Sequence, residues 1–433
     1  MTPEKKNLRF LMQFDSDRCI ECVSCIRICP TQAIRIRGGK SIEIVGDCIG
    51  CGECIRVCPA NAVKPMHWEG LPSAPDLFTV AIPSPVLYTQ FPGILPEDLH
   101  LALMEMGFGF IFDLFPYIQI FQLATVEHIL RSRKKANPGP HPLISPVCPV
   151  VIRLIAHRFP RLLPHILPLK TPLALIDDQD KKDLQESLGV DDRSLHFCYI
   201  TPCPAELVSI GYRLSPEISA IDHVLGINDL YADLVRQTKG RTTSDMRAIK
   251  DRESTKYDLA RSLNWGMSGG EISGTRIERS LAVHGLKETI TYLEKIEMGL
   301  FNDMEYIEFR TCPEGCLGGI LTAIDKYIAK GFVHKMLRIF GTDVGLQREM
   351  IREQYEAGRF FFQENPASRA GIVEGRKSSL SLDQYLEIES LLKRINGKDC
   401  SACGSPGCRG FAEDVVRGRA TLNQCVLLQA RGE

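Results

Sequence analysis

The chain has 433 residues, 44% hydrophobic and 24% charged, a globular composition long enough for roughly three domains of about 150 residues each. Lys and Arg total 52 against 53 Asp and Glu, so the formal net charge of -1 gives no electrostatic ground for a nucleic acid or an anionic membrane as partner. The 17 cysteines follow an opening, MTPEKKNLRF, that lacks the apolar stretch of a secretory leader, so we expect a reducing, cytoplasmic location where cysteine binds metal and a secreted disulfide framework is excluded.

From Arg18 to about Pro65 the chain is dense in cysteine and too short for a large apolar core. Here CIECVSCIRICP (Cys19 to Pro30) recurs as CIGCGECIRVCP (Cys48 to Pro59), eight of the twelve positions being identical. Each copy is spaced C-x2-C-x2-C-x3-C-P, the bacterial ferredoxin pattern in which three thiolates on one tight loop hold one cubane and the fourth ligates the other. The first cluster is therefore assigned to Cys19, Cys22, Cys25 and Cys58, and the second to Cys48, Cys51, Cys54 and Cys29. Structural zinc, the competing reading, calls for two C-x2-4-C pairs rather than runs of three. Arg27 and Arg56 hold equivalent places in the repeat and read as solvated surface, with docking of an acidic partner as the alternative.

Prolines 65, 72 and 75 end this module, and domain boundaries are drawn at 1–66, 67–370 and 371–433. The middle segment opens on a predicted strand, FTVAIP, from Phe78 to Pro83. Its most apolar run, Leu99 to Ala124, is broken by Glu105, Gly107, Gly109, Asp113 and Pro116 and reads as core, because a membrane span needs about 20 mostly apolar residues. Further strands are predicted at Pro172 to Ile176, Leu195 to Ile200 and Met304 to Phe309, interleaved with helical patterns such as Leu286 to Leu300, which argues for layered α/β architecture. The charged run Thr243 to Lys256 reads as a solvated helix or loop. Gly266 to Gly270 spells the hydrolase elbow G-x-S-x-G, but no strand precedes it as an elbow requires, and His67 reads as a linker residue.

The last segment has a helical pattern from Leu382 to Ile395, then Cys400, Cys403, Cys408 and Cys425 spaced C-x2-C-x4-C-x16-C. Gly404 and Gly407 flank a Ser405-Pro406 turn that brings Cys403 and Cys408 together, and a helix of about four turns is expected to return Cys425. This stretch resembles the small Fe-S domain attached to anaerobic redox proteins such as the corrinoid iron-sulfur protein and the Rnf electron-transport complex. A zinc knuckle is the alternative.

The five middle cysteines, Cys148, Cys198, Cys203, Cys312 and Cys316, have no local spacing of their own. Their neighbours carry more. PVCPVVIRL, ITPCPAELVSI and RTCPEGCLGGI resemble, in order, the three active-site signatures of the FeFe hydrogenase large subunit, and LPHILPLKTP, DHVLGINDL and NWGMSGGE resemble the stretches between them. The resemblance implies an α/β, two-lobed H-cluster domain, flanked by an N-terminal dicluster ferredoxin-like α+β module and a small, mainly helical C-terminal Fe-S module. It also implies that Cys148, Cys203, Cys312 and Cys316 hold the H-cluster cubane, making four 4Fe-4S clusters and leaving Cys198 as a buried, inert thiol.

In that family the thiolate matching Cys316 also bridges to a diiron centre carrying CO and cyanide. Around that centre this sequence departs from the pattern. Val147 stands where the family has a proton-relay cysteine, Glu206 where it has a lysine paired with cyanide, Ser209 where it has a relay glutamate, and Thr201 where it has a methionine. A carboxylate about 4 Å from an anionic ligand, at an effective dielectric near 20, is worth about 4 kcal/mol of repulsion. The changes weigh against a diiron subcluster. The expectation is an electron-transfer or redox- or hydrogen-sensing protein of anaerobic metabolism, without efficient hydrogen turnover, whose partners are redox proteins such as ferredoxin or other hydrogenase or oxidoreductase subunits. The alternatives are an atypical ferredoxin-linked FeFe hydrogenase and, further off, a cluster-assembly scaffold.

Overall fold

Both halves of the cysteine repeat fold alike. In each, the residue after the second cysteine is left-handed, Val23 at φ 56° and Gly52 at φ 74°, and a one-turn helix follows, Ser24–Ile28 and Glu53–Val57. The reversal leads into the helix that carries the third cysteine of each loop. Strand β1 (Met12–Phe14), the hairpin of β2 (Ile34–Arg37) and β3 (Ser41–Ile44), and β4 (Val63–Pro65) complete the module; β1 pairs antiparallel with β4, and Ile34 faces Ile44 across the hairpin. Met12, Ile26, Ile34, Ile36, Ile44 and Val63 fill a core too small to stand without help.

The computed structural model describes residues 12–38, 41–67, 70–71, 77–136, 139–190, 195–240, 262–340, 348–362, 380–395 and 397–430. The predicted charged segment 243–256 lies outside them. The chain packs as two units, one made of 1–66 together with 372–433 and the other of 67–371. The two terminal modules, far apart along the sequence, thus share one unit.

Within that first unit the helix Leu382–Arg394 opens on a capping box, with Ser381 accepting from the Gln384 N–H at 3.2 Å. It packs against the helix Cys408–Val416 around Ile388, Leu391, Phe411 and Leu428. The expected four-turn helix returning Cys425 is a correction: it stops at Val416. Gly418 turns left-handed at φ 70°, the Asp414 carbonyl takes the N–H groups of Arg419 and Ala420 at 2.7 and 3.1 Å, and a short 3-10 turn, Leu422–Gln424, delivers Cys425 instead.

The second unit is built on two parallel sheets. β5 (Phe78–Pro83), β6 (Phe110–Ile111), β8 (Leu195–Thr201) and β9 (His223–Gly226) lie in the order β6-β5-β8-β9. β7 (Leu143–Ile144), β10 (Ser280–His284) and β11 (Tyr306–Arg310) lie in the order β10-β11-β7. Helices cover the strands, so runs such as Phe197, Cys198 and Ile200 are fully buried, as parallel sheets demand. The segment Pro172 to Ile176, predicted as a strand, forms a 3-10 turn over Leu173–Leu175. Pro172 has no N–H for a ladder, while Thr171 draws the chain round by accepting from the Leu175 N–H on its carbonyl at 3.0 Å and from the Ala174 N–H on its hydroxyl at 3.4 Å. The apolar run after Leu99 is core, as expected: Leu99, Leu103, Ile118 and Phe121 are buried in the helices Pro96–Glu105 and Phe115–Arg133. No helix among the described residues is long and apolar enough to cross a membrane.

Candidate metal centres

Three middle cysteines are placed by one recurring device. Cys148 follows β7, Cys203 follows β8 and Cys312 follows β11, so each sits just beyond the carboxyl end of a parallel strand. That is where open α/β sheets present their ligands. Cys148 and Cys203 are extended N-cap residues, each followed by a proline at the first helical position, of the helices Pro149–Arg158 and Pro204–Gly211. The helix dipoles therefore favour negative charge on both sulfurs. Cys316 arrives by a tighter route, on a 3-10 turn after Gly315, whose φ is 75° and whose missing Cβ would lie 2.6 Å from the Ser268 nitrogen. The GMSGG segment is therefore the wall against which this turn closes. Helix precedes Ser268, as the rejection of a hydrolase elbow anticipated.

All four side chains, Cys148, Cys203, Cys312 and Cys316, line one pocket together with Val147, Glu206, Trp265 and Arg310. Burial pushes the Cys203 thiol well up and that of Cys316 to about 12, with neighbouring thiols adding to both and Arg310 opposing the rise at Cys316. Thiols so placed ionise only if cationic metal compensates them. A second, adjoining pocket shares Val147, Glu206 and Trp265 and adds Arg153, Ser209 and Glu217. Val147 and Glu206 therefore border both.

Glu206 is part of a pair that reading positions singly misses. The Thr201 hydroxyl accepts from the Cys203 N–H at 3.0 Å and donates to Glu206 Oε2 at 2.5 Å. Burial raises the Glu206 pKa against the opposing pull of that hydrogen bond and of Arg310. Ser209 accepts from buried Arg153 and donates to the Ala205 carbonyl at 2.7 Å.

Behind the cysteines lies a charged network that the sequence reading did not include in the site. Tyr306, Glu308 and Arg310 alternate along β11 and share one face. Arg310 is 2% exposed, bonds Glu271 at 2.9 Å and Glu308 at 3.3 Å, and lies 5.1 Å from the Trp265 ring centre. Glu271 also accepts from the hydroxyls of Tyr306 and Ser145, and Glu308 from the N–H groups of Gly269 and Ile272 at 3.2 and 3.3 Å. Burial raises both carboxyls, Glu308 to about 7, against the pull of Arg310. The available signal was a charged i, i+2 pair inside an otherwise apolar strand ending two residues before Cys312.

The terminal cysteines stand near one another in the first unit. Cys19, Cys22, Cys25 and Cys58 line one pocket whose other walls include Val23, Ile36, Ile42 and Ala62. Burial first, then Cys22, Cys19 and Cys58, push the Cys25 thiol to about 11. Burial and then Cys48, Cys54 and Cys29 raise Cys51, so the fourth cysteine of each motif stands with the other motif's three. Each crossing sulfur accepts a backbone N–H, Cys29 from Ala33 at 3.3 Å and Cys58 from Ala62 at 3.2 Å. At the other end of the chain Cys403 feels Cys425 and Cys400, and Cys408 feels Cys400. Among the described residues no group of three or more His, Cys, Asp or Glu side chains converges on a single metal ion. Cys198 belongs to none of these groups and lies in the apolar core with Leu225 and Leu317, its thiol pushed well up by burial.

Comparison with known proteins gives three family matches: the iron only hydrogenase large subunit, C-terminal domain, over residues 78–273 and 232–320; a 4Fe-4S dicluster domain over 11–59; and an Fe-S cluster domain over 396–427. Iron hydrogenase 1 of Clostridium pasteurianum is 22% identical over 261 residues, 51% of this chain and 44% of the relative. One subunit of the ion-translocating oxidoreductase complex of Rhodobacter capsulatus is 45% identical over 38 residues, 9% of this chain and 20% of the relative. The chain thus spans less than half the length of these curated relatives. Among solved structures, an apo FeFe-hydrogenase variant from Chlamydomonas reinhardtii superposes with a TM-score of 0.50 at 14% identity, covering 69% of this chain and 97% of that one, a likeness of fold.

Proposed function

Because the chain belongs to the iron-only hydrogenase large-subunit family, we propose that it is an iron-sulfur electron-transfer or redox-sensing protein that keeps the hydrogenase scaffold without efficient hydrogen turnover. Four cubanes are assigned: to Cys19, Cys22, Cys25 and Cys58; to Cys48, Cys51, Cys54 and Cys29; to Cys148, Cys203, Cys312 and Cys316; and to Cys400, Cys403, Cys408 and Cys425. When bound, each cubane supplies one-electron storage, at a potential set by burial, charge and hydrogen bonds to sulfur. At the middle site this chain contributes Arg310 as the nearby cation and the two helix N-termini behind Cys148 and Cys203. We assign the protein to the cytoplasm of an anaerobic cell, with redox proteins as partners.

The observation that carries the reading is Glu206, hydrogen-bonded by Thr201 and lining the pocket beside Val147. A side chain that hydrogen-bonds internally and ionises only to an anion offers an anionic diiron ligand no cation, and valine carries no transferable proton. Anaerobic purification after co-expression with hydrogenase maturation factors, followed by infrared spectroscopy and iron analysis, tests it. We expect about sixteen irons, the content of four cubanes, with no carbonyl or cyanide stretches. Those stretches together with hydrogen uptake would establish the atypical hydrogenase instead.

A further inference from the structure

We propose that the C-terminal cubane exchanges electrons directly with the first ferredoxin cubane of the same unit, and that Arg27 couples the two. The inference rests on the reading that Cys400, Cys403, Cys408 and Cys425 hold a cubane. Two bridges join the sites. Arg27 belongs to the helix that also carries Cys25, and its guanidinium donates to the carbonyl oxygen of Cys400 at 2.6 Å. Ile36 lines the pocket of Cys19, Cys22, Cys25 and Cys58, and its N–H donates to the carbonyl of Gly404, the residue after Cys403, at 2.9 Å. The approach there is so close that a Cβ on Gly404 would lie 1.7 Å from the Ile36 oxygen. Arg37 adds a bond to the Cys403 carbonyl at 3.4 Å.

The repeat contains its own control. Arg56 occupies the position in the second motif that Arg27 occupies in the first, yet it bonds Glu53 within its own helix at 3.2 Å. Arg27, by contrast, reaches a proposed ligand residue of the third cluster. A cation fixed at the peptide of a ligating cysteine favours the more negative, reduced cluster and raises its potential. The exchange is one electron, leaving the reduced C-terminal cubane oxidised by one and the first cubane reduced by one, or the reverse, with no proton or atom transferred. The bonded peptides of Ile36 and Gly404 join the walls of the two sites directly.

The test uses the full chain, purified anaerobically, titrated with dithionite at controlled potential and followed by electron paramagnetic resonance. The C-terminal signal is identified as the one lost, with its iron, in Cys400→Ser. In the fully reduced protein this signal is expected to be split or broadened by its neighbour, and the splitting is expected to collapse in Cys22→Ser, where the first cluster is disrupted. In Arg27→Ala the midpoint potential of the C-terminal cluster is expected to fall, whereas Arg56→Ala leaves it in place. Arg27 is exposed, so its loss does not threaten folding. An unsplit signal in the unsubstituted protein, or equal potentials in Arg27→Ala and Arg56→Ala, overturns the coupling. Unchanged iron content in Cys400→Ser overturns instead the cubane assignment beneath it, and the two failures are told apart by the iron count.

Discussion

Asp414 offers the sharpest test of how the terminal modules are held together. Its carboxylate is fully buried and receives Arg35 at 2.5 Å, Arg37 at 2.6 Å, Ser405 at 3.1 Å, and Arg419 at 2.9 and 3.1 Å. Two of these arginines come from β2 of the ferredoxin module and are themselves only 6% and 11% exposed. Asp414→Asn preserves the shape but removes the charge and one acceptor oxygen. The nearly buried guanidiniums of Arg35 and Arg37 are then left without a counter-ion, a situation that costs about 3–5 kcal/mol, while the outer contribution of Arg419, 34% exposed, adds little. Against a total stability of about 5–15 kcal/mol for a domain, that loss should free the C-terminal module before the rest of the unit unfolds. Hydrogen exchange on the cluster-loaded protein reads this directly: amides of the helix Cys408–Val416 should exchange about two to three and a half orders of magnitude faster in the variant, by the same energy converted at 1.4 kcal/mol per decade. The arginine bonds also hold the Asp414 pKa below its usual range despite burial, so their stabilisation is present above the ordinary carboxylate range and is lost as pH falls through the depressed value. Protection that is unchanged, or a loss below about 1 kcal/mol, would refute the clamp and reduce these bonds to ordinary surface pairs.

Three further outcomes follow from the second unit. Glu305, 4% exposed and gripped by Arg133 at 2.5 and 2.6 Å and by Arg279 at 2.9 Å, has its pKa drawn down to about 2; Glu305→Gln should therefore destabilise by about 1–2 kcal/mol at pH 7, after discounting for the exposed arginines, with the difference vanishing as pH falls from about 4.5 through 2, read by urea denaturation across pH. Gly315→Ala places a Cβ 2.6 Å from the Ser268 nitrogen at a φ of 75°, and we expect loss of the middle cluster's four irons with the terminal clusters intact, measured by iron content and paramagnetic resonance. Cys198→Ala should cost about 1 kcal/mol of packing and leave iron content and every cluster signal unchanged; lost iron would make it a ligand.

The distinction between what spacing can and cannot carry runs through every site. The duplicated motif carries its proposed cluster groups in its spacing, because three cysteines within seven residues line one small loop, and the proposed crossing of Cys29 and Cys58 comes from the same pattern. Strands such as Phe78–Pro83 and Leu195–Thr201 were legible because parallel strands buried on both faces read as unbroken apolar runs. The run from Pro172 misled for the same reason: apolarity reports burial, and the proline and Thr171 decide the backbone. The helix before Cys425 was overlong although Gly418, two residues past Val416, supplied a local stop that spacing alone passes over.

By itself, then, the sequence grouped the terminal cysteines by their spacing and, through order and neighbours, showed which family supplies the middle fold. Only the tertiary structure decided that the first and last modules form one unit, that Thr201 and Glu206 act as a pair, and that Arg310 stands behind the middle cysteines between two buried carboxylates. The physical reason is range. A thiolate loop is a local object written in consecutive residues, whereas a buried charge is stable only through partners that the fold brings from far along the chain, as Arg35 and Asp414 do across 379 positions.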